Sequence, residues 1–409
     1  FLMASLKQKH VMLRHLGLAG KAVIIDECHA YDRYMYVYLE NSLRWMAAYN
    51  VPVIILSATL PPDKRAELIK WYTGSKNSFD NSSMAYPVLT WSDGAEVKQK
   101  AIPVDIPDKS ITVIRREEND SNDIVNLLED KLSDGGCAAV IVNSVAYSQE
   151  LADTIAANMP DYRVICFHSR LISTDRASIE RELTELVGKK STCEKRDKLI
   201  VVGTQVLEQS LDIDFDYMIT ELCPMDLLLQ RSGRLHRHNR TRPDKLSEPE
   251  LCVLIPEDFS KGVYSGWILT QTEKYLPDKL VIPGCIPKLV GAVYSEPDND
   301  EQQTAEYREY SDEQKEKKQR ARKYCIPSQK INRSDSTLGD MIDRRELNND
   351  SDGEAAVRDG QETIEALVLV KTSDTEYSLF SRDAVFDITS VPDNAQAKLI
   401  AKQRLRLPA

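Results

Sequence analysis

No apolar run in the 409-residue chain approaches the ~18 residues of a membrane-spanning helix. The opening Phe1-Leu2-Met3-Ala4-Ser5-Leu6-Lys7 also lacks the basic, apolar and cleavage regions of a secretory leader. A cytoplasmic protein with no membrane partner is the expectation. The eight cysteines (28, 137, 166, 193, 223, 252, 285 and 325) never form Cys-x-x-Cys, so neither a zinc site nor a disulfide framework is suggested. Histidine is scarce, with six residues (10, 15, 29, 168, 236 and 238) and no His-Asp dipeptide. His10 and His15 read as partly exposed helix residues, and His236 and His238 lack the acidic neighbours of a metal site. Also missing is Gly-x-x-x-x-Gly-Lys-Ser/Thr, the loop whose backbone N–H groups and lysine cradle nucleotide phosphates. The stretch nearest to it, Gly17-Leu18-Ala19-Gly20-Lys21-Ala22, has His15 where the first glycine should stand and Ala22 in place of the hydroxyl. It precedes a strand instead of following one, and so reads as a turn. Excess positive charge is absent too: 53 Lys plus Arg against 64 Asp plus Glu give 53 − 64 = −11. Composition is therefore no argument for nucleic acid.

What is present is an alternation of apolar runs and helix-like stretches, the pattern of a parallel sheet covered by helices. Strands are expected at 22–25, 53–56, 138–142, 163–167, 199–202, 217–219 and 251–255, with helices at 32–49, 62–72, 146–158, 175–187 and 224–231. The aperiodic, polar stretch 73–109 reads as a connection between two such sheets. Beyond about Pro256 the chain becomes highly charged, with a helix expected at 307–323 and a loop or disordered linker at 347–353. Strands at 363–371 and 377–380 would belong to a small β-containing appendage.

Four clusters carry chemistry. Val23-Ile24-Ile25 delivers Asp26, Glu27 and His29 at a strand's carboxyl end, where ligands of open α/β sheets bind. One such carboxylate can hold Mg²⁺ through water while its neighbour takes a proton from an attacking water. For Asp-Glu alone, solvated acids capping a strand are the plainer reading. Val53-Ile54-Ile55-Leu56 runs into Ser57-Ala58-Thr59, two hydroxyls at the next strand end, although Ser-Ala-Thr before Pro61 could be only a helix cap. Gly203-Thr204-Gln205 follows a third strand and leads to Ser210-Leu211-Asp212-Ile213. Last comes Gln230-Arg231-Ser232-Gly233-Arg234-Leu235-His236-Arg237-His238, whose arginines recur every three residues. On one helix face they could converge on phosphate oxygens; a solvated basic helix end is the plainer alternative.

In this order and separation the clusters resemble motifs II, III, V and VI of superfamily 2 helicases. Asp26-Glu27-Cys28-His29-Ala30-Tyr31-Asp32, Leu56 to Pro61, Phe167-His168-Ser169-Arg170 and Gln230 to His238 resemble, more narrowly, the CRISPR-associated helicase-nuclease of type I systems. That resemblance implies an α/β fold of tandem RecA-like lobes with a small accessory domain. The first lobe, partial, would fill 1–100 and the second 101–257, followed by an extension and linker at 258–360 and a partial accessory domain at 361–409. It implies ATP and Mg²⁺ as cofactors, Asp26 holding the metal through water and Glu27 as hydrolytic base. Arg234 and Arg237 would be arginine fingers, Gln230 would order the attacking water, Arg231 would support the site, and Asp212 would approach the ribose. His29, Ser57 and Thr59 would couple hydrolysis to movement. Thr204, Gln205 and Ser169 would touch the backbone of single-stranded DNA.

The partners implied are single-stranded DNA and the Cascade surveillance complex, with a monomeric enzyme in target degradation. The family's HD nuclease domain, with its transition metals, finds no counterpart in these residues. The chain is thus expected to be a fragment that hydrolyses ATP poorly by itself. Two other functions stay open: a different superfamily 2 helicase acting on DNA or RNA, and a non-catalytic module that binds Cascade or DNA.

Overall fold

The two Val-Ile-Ile runs pair in parallel as β1 (Val23–Ile25) and β2 (Val53–Ile55), Val23 opposite Val53 and Ile25 opposite Ile55. The computed structural model describes residues 1–8, 10–28, 32–74, 85–92, 96–103, 107–117, 120–208, 211–328, 363–380, 384–387 and 389–408. These fall into two units, one of Phe1–Asp108 with Gly266–Gln271 and Pro283–Gly360, the other of Lys109–Ser265 with Thr272–Ile282 and Gln361–Ala409.

In the first unit, Val23 and Ile25 point into a core built mainly on helices α1 (Val11–Leu18), α2 (Arg33–Ala48) and α3 (Pro62–Thr73). The α2 side chains Tyr38, Leu39, Leu43 and Met46 are at most 1% exposed. Each aliphatic one contributes roughly 1.5–3 kcal/mol of burial. The Asp32 carboxylate starts α2 by accepting the Met35 N–H at 2.8 Å, and Gly74, at φ 62, ends α3 in the left-handed conformation a glycine tolerates. His15 corrects the sequence expectation, being 1% exposed instead of half in solvent. It joins the Ala4 carbonyl and the Tyr49 hydroxyl, each at 2.7 Å, and burial lowers its pKa. The supposed connection at 73–109 contains a hairpin, β3 (Val88–Ser92) and β4 (Val97–Ala101).

The second unit is a seven-stranded sheet flanked by helices. In chain order it runs β5 (Lys109–Glu117), α4 (Ser121–Lys131), β6 (Cys137–Ile141), α5 (Val145–Asn158), β7 (Arg163–Phe167), α6 (Ser173–Val187) and α7 (Cys193–Arg196). There follow β8 (Leu199–Gly203), β9 (Tyr217–Glu221), α8 (Met225–Ser232), β10 (Glu250–Ile255), α9 (Gly266–Tyr275), whose first six residues belong to the first unit, and β11 (Lys279–Ile282). The spatial order is β11-β5-β10-β9-β6-β8-β7, parallel throughout except for β11. β6 and β8 are buried along their whole length, which is why they read as unbroken apolar runs. The expected strands are all present within a residue or two at their ends; β5, the hairpin and α4 went unforeseen because their sequences are polar and half exposed. The mostly parallel sheet with its intervening helices is the α/β architecture expected.

The first unit resumes with α10 (Ile286–Tyr294) and α11 (Ala305–Lys323). The segment after α11 is pinned against α2: Asn41 donates to the Ile326 carbonyl at 2.9 Å and Trp45 to that of Pro327 at 3.3 Å. In the second unit, the single strand expected at 363–371 is two, β12 (Thr363–Leu367) and β13 (Val370–Lys371), in different sheets. β12 pairs with the terminal β16 (Arg404–Pro408), and β13 with β14 (Glu376–Ser378), itself paired with β15 (Val385–Asp387). Helix α12 (Asn394–Ala401) is started by an Asp393–Gln396 capping box. The linker stretch 347–353 lies outside the described residues.

Candidate functional site

The ladder between β1 and β2 continues past both strands: Leu56 N–H donates to the Ile25 carbonyl at 2.8 Å, and Cys28 N–H to that of Leu56 at 3.4 Å. Asp26-Glu27 and Ser57 therefore emerge side by side at the carboxyl end of the sheet. Both acids are exposed. Glu27 has φ 53, a left-handed conformation unusual for a residue with a Cβ, and its N–H is held by Asp26 Oδ1 at 3.0 Å. Strain of this kind accumulates at functional turns. Beneath the turn, Cys28 is wholly buried and its thiol is pushed up to about 11 by desolvation. Tyr86, which sequence reasoning missed, stands near enough for Glu27 to add to the burial that raises its phenol pKa. Ser57 and Thr59 line a cavity of about 830 Å³, and the Thr59 hydroxyl is buried there with no hydrogen-bond partner. His29 lies outside the described residues.

In the second unit the carboxyl ends of β6, β8 and β9 come together, bringing Asn143, Thr204, Gln205 and Glu221 to one edge. Gly203 permits this: a Cβ there would lie 2.6 Å from the Phe167 carbonyl oxygen. Arg231 is fully buried beneath the edge. Its Nε pairs with Glu208 Oε1 at 2.7 Å, Nη1 donates to Thr220 Oγ1 at 2.7 Å and to the Glu221 carbonyl at 3.2 Å, and Nη2 to Asn143 Oδ1 at 3.1 Å. Gln205 Nε2 donates to the Asn143 carbonyl at 3.2 Å and to the Tyr264 hydroxyl at 3.0 Å. Thr204 is 1% exposed, its hydroxyl without a hydrogen-bond partner, whereas Ser169 is exposed beside the buried His168. Asn143, Glu208 and Tyr264 were also missed; the one available signal was Asn143 ending an apolar run.

The three-residue arginine spacing does not make a common helix face, because α8 stops at Ser232. Beyond it the chain runs beside residues 212–216, with Phe215 bridged to Leu235. Arg234 grips the carbonyls of Leu211 at 2.5 Å and Glu208 at 2.7 Å. Arg240 and Arg242 turn inward to Asp214, at 2.7 and 3.0 Å, where Arg196 and Asp216 complete a buried cluster. Burial drives the Asp216 carboxyl up, but Arg196 and Arg242 outweigh it and hold the group below its usual range. Arg237 alone of these keeps a side chain 41% exposed, meeting Asp212 at 2.6 Å with His238 Nε2 3.2 Å from the same oxygen. The Arg237 hydrogen bond holds the Asp212 carboxyl low. Gln230 is half-buried at the last turn of α8.

A sequence profile described as "CRISPR-associated nuclease/helicase Cas3, C-terminal" matches residues 134–240. The Cas3 nuclease/helicase of Streptococcus thermophilus is 40% identical over 435 aligned residues, covering all of this chain and 46% of that protein. The chain belongs to the Cas3 family. Cas3 of Escherichia coli K12 is 32% identical over 73% of this chain and 36% of its own length. The crystal structure of T. fusca Cas3 superposes with a TM-score of 0.84 at 28% identity over the whole chain and half of its own, and its ATP complex with 0.85. A chain of a pre-nicking CRISPR RNA-guided surveillance complex is similar over 99% of this chain, with a TM-score of 0.79 at 28% identity. The chain thus spans about half the length of the Cas3 proteins it matches. Among the described residues no group of three or more His, Cys, Asp and Glu could hold a metal ion, and no helix is long and apolar enough to cross a membrane.

Proposed function

We propose that this chain carries the part of an ATP-dependent, single-stranded-DNA translocase that couples nucleotide hydrolysis to movement in CRISPR interference. The observation that carries the reading is the exposed Asp26-Glu27 turn, Glu27 held at φ 53, in a chain 40% identical along its length to a Cas3 nuclease/helicase. The turn of the first unit offers Mg²⁺ two exposed carboxylates on a hard-cation ligand position, and in the second unit Arg237 keeps an exposed guanidinium. Bound ATP supplies the cleavable phosphoanhydride. Asp26 would hold Mg²⁺ through water, and a Glu27 carboxylate oxygen would accept the proton of the attacking water. Arg237 is the arginine best placed to meet phosphate oxygens, with Asp212 able to exchange its ion pair for a ribose hydroxyl. Arg234 would reach phosphate only by releasing the two carbonyls it holds, and Gln230 would order water. Arg231 acts from within, fixing Glu208 beside Gln205 and Thr204.

Ser57 and Thr59, with His29, would relay nucleotide state, and Ser169, Thr204 and Gln205 would contact the DNA backbone. Residues 1–100 and 101–257 are read as the helicase lobes, 258–360 as extension and linker, and 361–409 as the accessory domain that with them meets Cascade. The test replaces the matching half of the S. thermophilus protein with this chain and measures ATP hydrolysis with single-stranded DNA and, separately, RNA. Glu27→Gln should lower DNA-stimulated turnover by on the order of 100-fold or more while nucleotide binding persists. Unchanged turnover in Glu27→Gln would defeat the proposal, and stimulation by RNA alone would reassign the strand.

A further inference from the structure

The first unit holds a cleft of about 240 Å³ walled by α2, α3 and α11, and none of its lining residues belongs to the helicase motifs. Five cations line it, Arg33, Arg44, Lys70, Lys318 and Arg322, against the carboxylates of Glu40 and Glu67, a balance of 5 − 2 = +3. The whole chain carries −11, so this concentration runs against composition. Both carboxylates are already engaged, Glu40 with Arg44 and Glu67 with Lys64, each at 2.9 Å. Arg33, Lys70, Lys318 and Arg322 make no ion pair or side-chain hydrogen bond among the described residues. Burial, with Arg33 and Arg322 alongside, holds the Lys318 ammonium below its usual range despite Glu40 and Glu67. Like charges gathered in a partly desolvated cleft repel one another unless an anion fills it.

We propose that this cleft binds a phosphate-bearing anion through Arg33, Lys70, Lys318 and Arg322. A phosphate group carries about −1.5 to −2 at neutral pH, so one or two of them balance the local +3, which a single carboxylate cannot. Guanidinium forks from two helices and two ammonium groups also suit tetrahedral oxyanions. Its volume of about 240 Å³ leaves room for a diphosphate or one strand's backbone phosphates, and for no folded partner. None of the lining residues is among the proposed hydrolytic residues, so either reading can fail alone.

The full chain is titrated with inorganic pyrophosphate by calorimetry at low salt and, in parallel, with a fluorescein-labelled oligothymidylate. Lys318→Glu with Arg322→Glu should weaken pyrophosphate binding by about tenfold or more, because it reverses two charge-assisted contacts. Lys189→Glu with Lys190→Glu, an equal change of net charge on exposed residues of the second unit, should change it less than about twofold. A cleft-specific loss seen only with the oligonucleotide identifies the phosphates as those of a nucleic-acid strand. Equal losses in the two double variants, or no binding of either probe by the parent chain, overturn the proposal. Should the double glutamate unfold the chain, Lys318→Gln with Arg322→Gln reads the same loss.

Discussion

Glu208→Ala isolates a single buried charge. Arg231 and Glu208 are 0% and 1% exposed in their side chains and meet at 2.7 Å. Burial pushes the Glu208 carboxyl up against Arg231's pull, while burial's opposite pull on Arg231 is outweighed by Cys223 and Glu208, which keep it cationic. The guanidinium decides between these tendencies, because it does not deprotonate in proteins and would be left in the interior with only the Thr220, Glu221 and Asn143 oxygens. Removing one partner of such a pair costs about 3–5 kcal/mol, a large part of the ~5–15 kcal/mol that stabilises a typical domain. With a slope of about 2–3 kcal/mol/M, the urea midpoint of the second unit should fall by roughly 1–2 M.

The chain supplies its own unit-specific probe. Trp45, Trp71, Trp91 and Trp267, all four tryptophans, lie in the first unit. Tryptophan emission should therefore keep its midpoint while a far-ultraviolet circular dichroism transition moves. Glu208→Leu with Arg231→Met, which removes the charge as well as its partner, should recover most of the loss. A Glu208→Ala shift equivalent to less than about 1 kcal/mol would refute the reasoning.

Three further outcomes are expected. Desolvation, helped by Arg242, lowers the His236 pKa from 6.5 to about 4, against the pull of the Asp216 carbonyl and of the Asp216 and Asp214 charges. The folded state thus favours the neutral ring: this stability is complete above the unfolded pKa of 6.5 and is lost as pH falls toward about 4. His236→Asn, which tolerates the φ of 48, should flatten denaturation midpoints across that window, and parallel pH profiles would contradict it. Gly203→Ala forces a methyl against the Phe167 carbonyl and should destabilise the second unit by about 1–3 kcal/mol in circular dichroism melts, with a shift below half that speaking against the contact. Asp32→Ala removes the α2 cap and should cost about 1 kcal/mol in the tryptophan-monitored transition of the first unit, the reverse of the Glu208 pattern.

The strands were legible because a parallel sheet buries both faces, so β6, β8 and β9 announce themselves as short apolar runs whatever their neighbours are. The candidate acids were legible for a related reason: ligands of such sheets lie at strand carboxyl ends, and Asp26-Glu27 directly follows one. The fate of the arginines was not. Their spacing suggested a shared helix face, but α8 ends at Ser232, and Arg234, Arg240 and Arg242 are claimed by oxygens of residues 208–216. His15 was misjudged in the same way, since its partners, Ala4 and Tyr49, sit on other elements.

From its sequence alone this protein determined its strand and helix positions, the order of its motifs and its family resemblance, all of which rest on residues adjacent along the chain. Only the tertiary structure decided which charges face inward at Arg231 and Asp214, which guanidinium stays in solvent at Arg237, and that α2, α3 and α11 gather five cations in one cleft. The reason is physical: a charge's partner and its distance from water are set by residues that folding brings close.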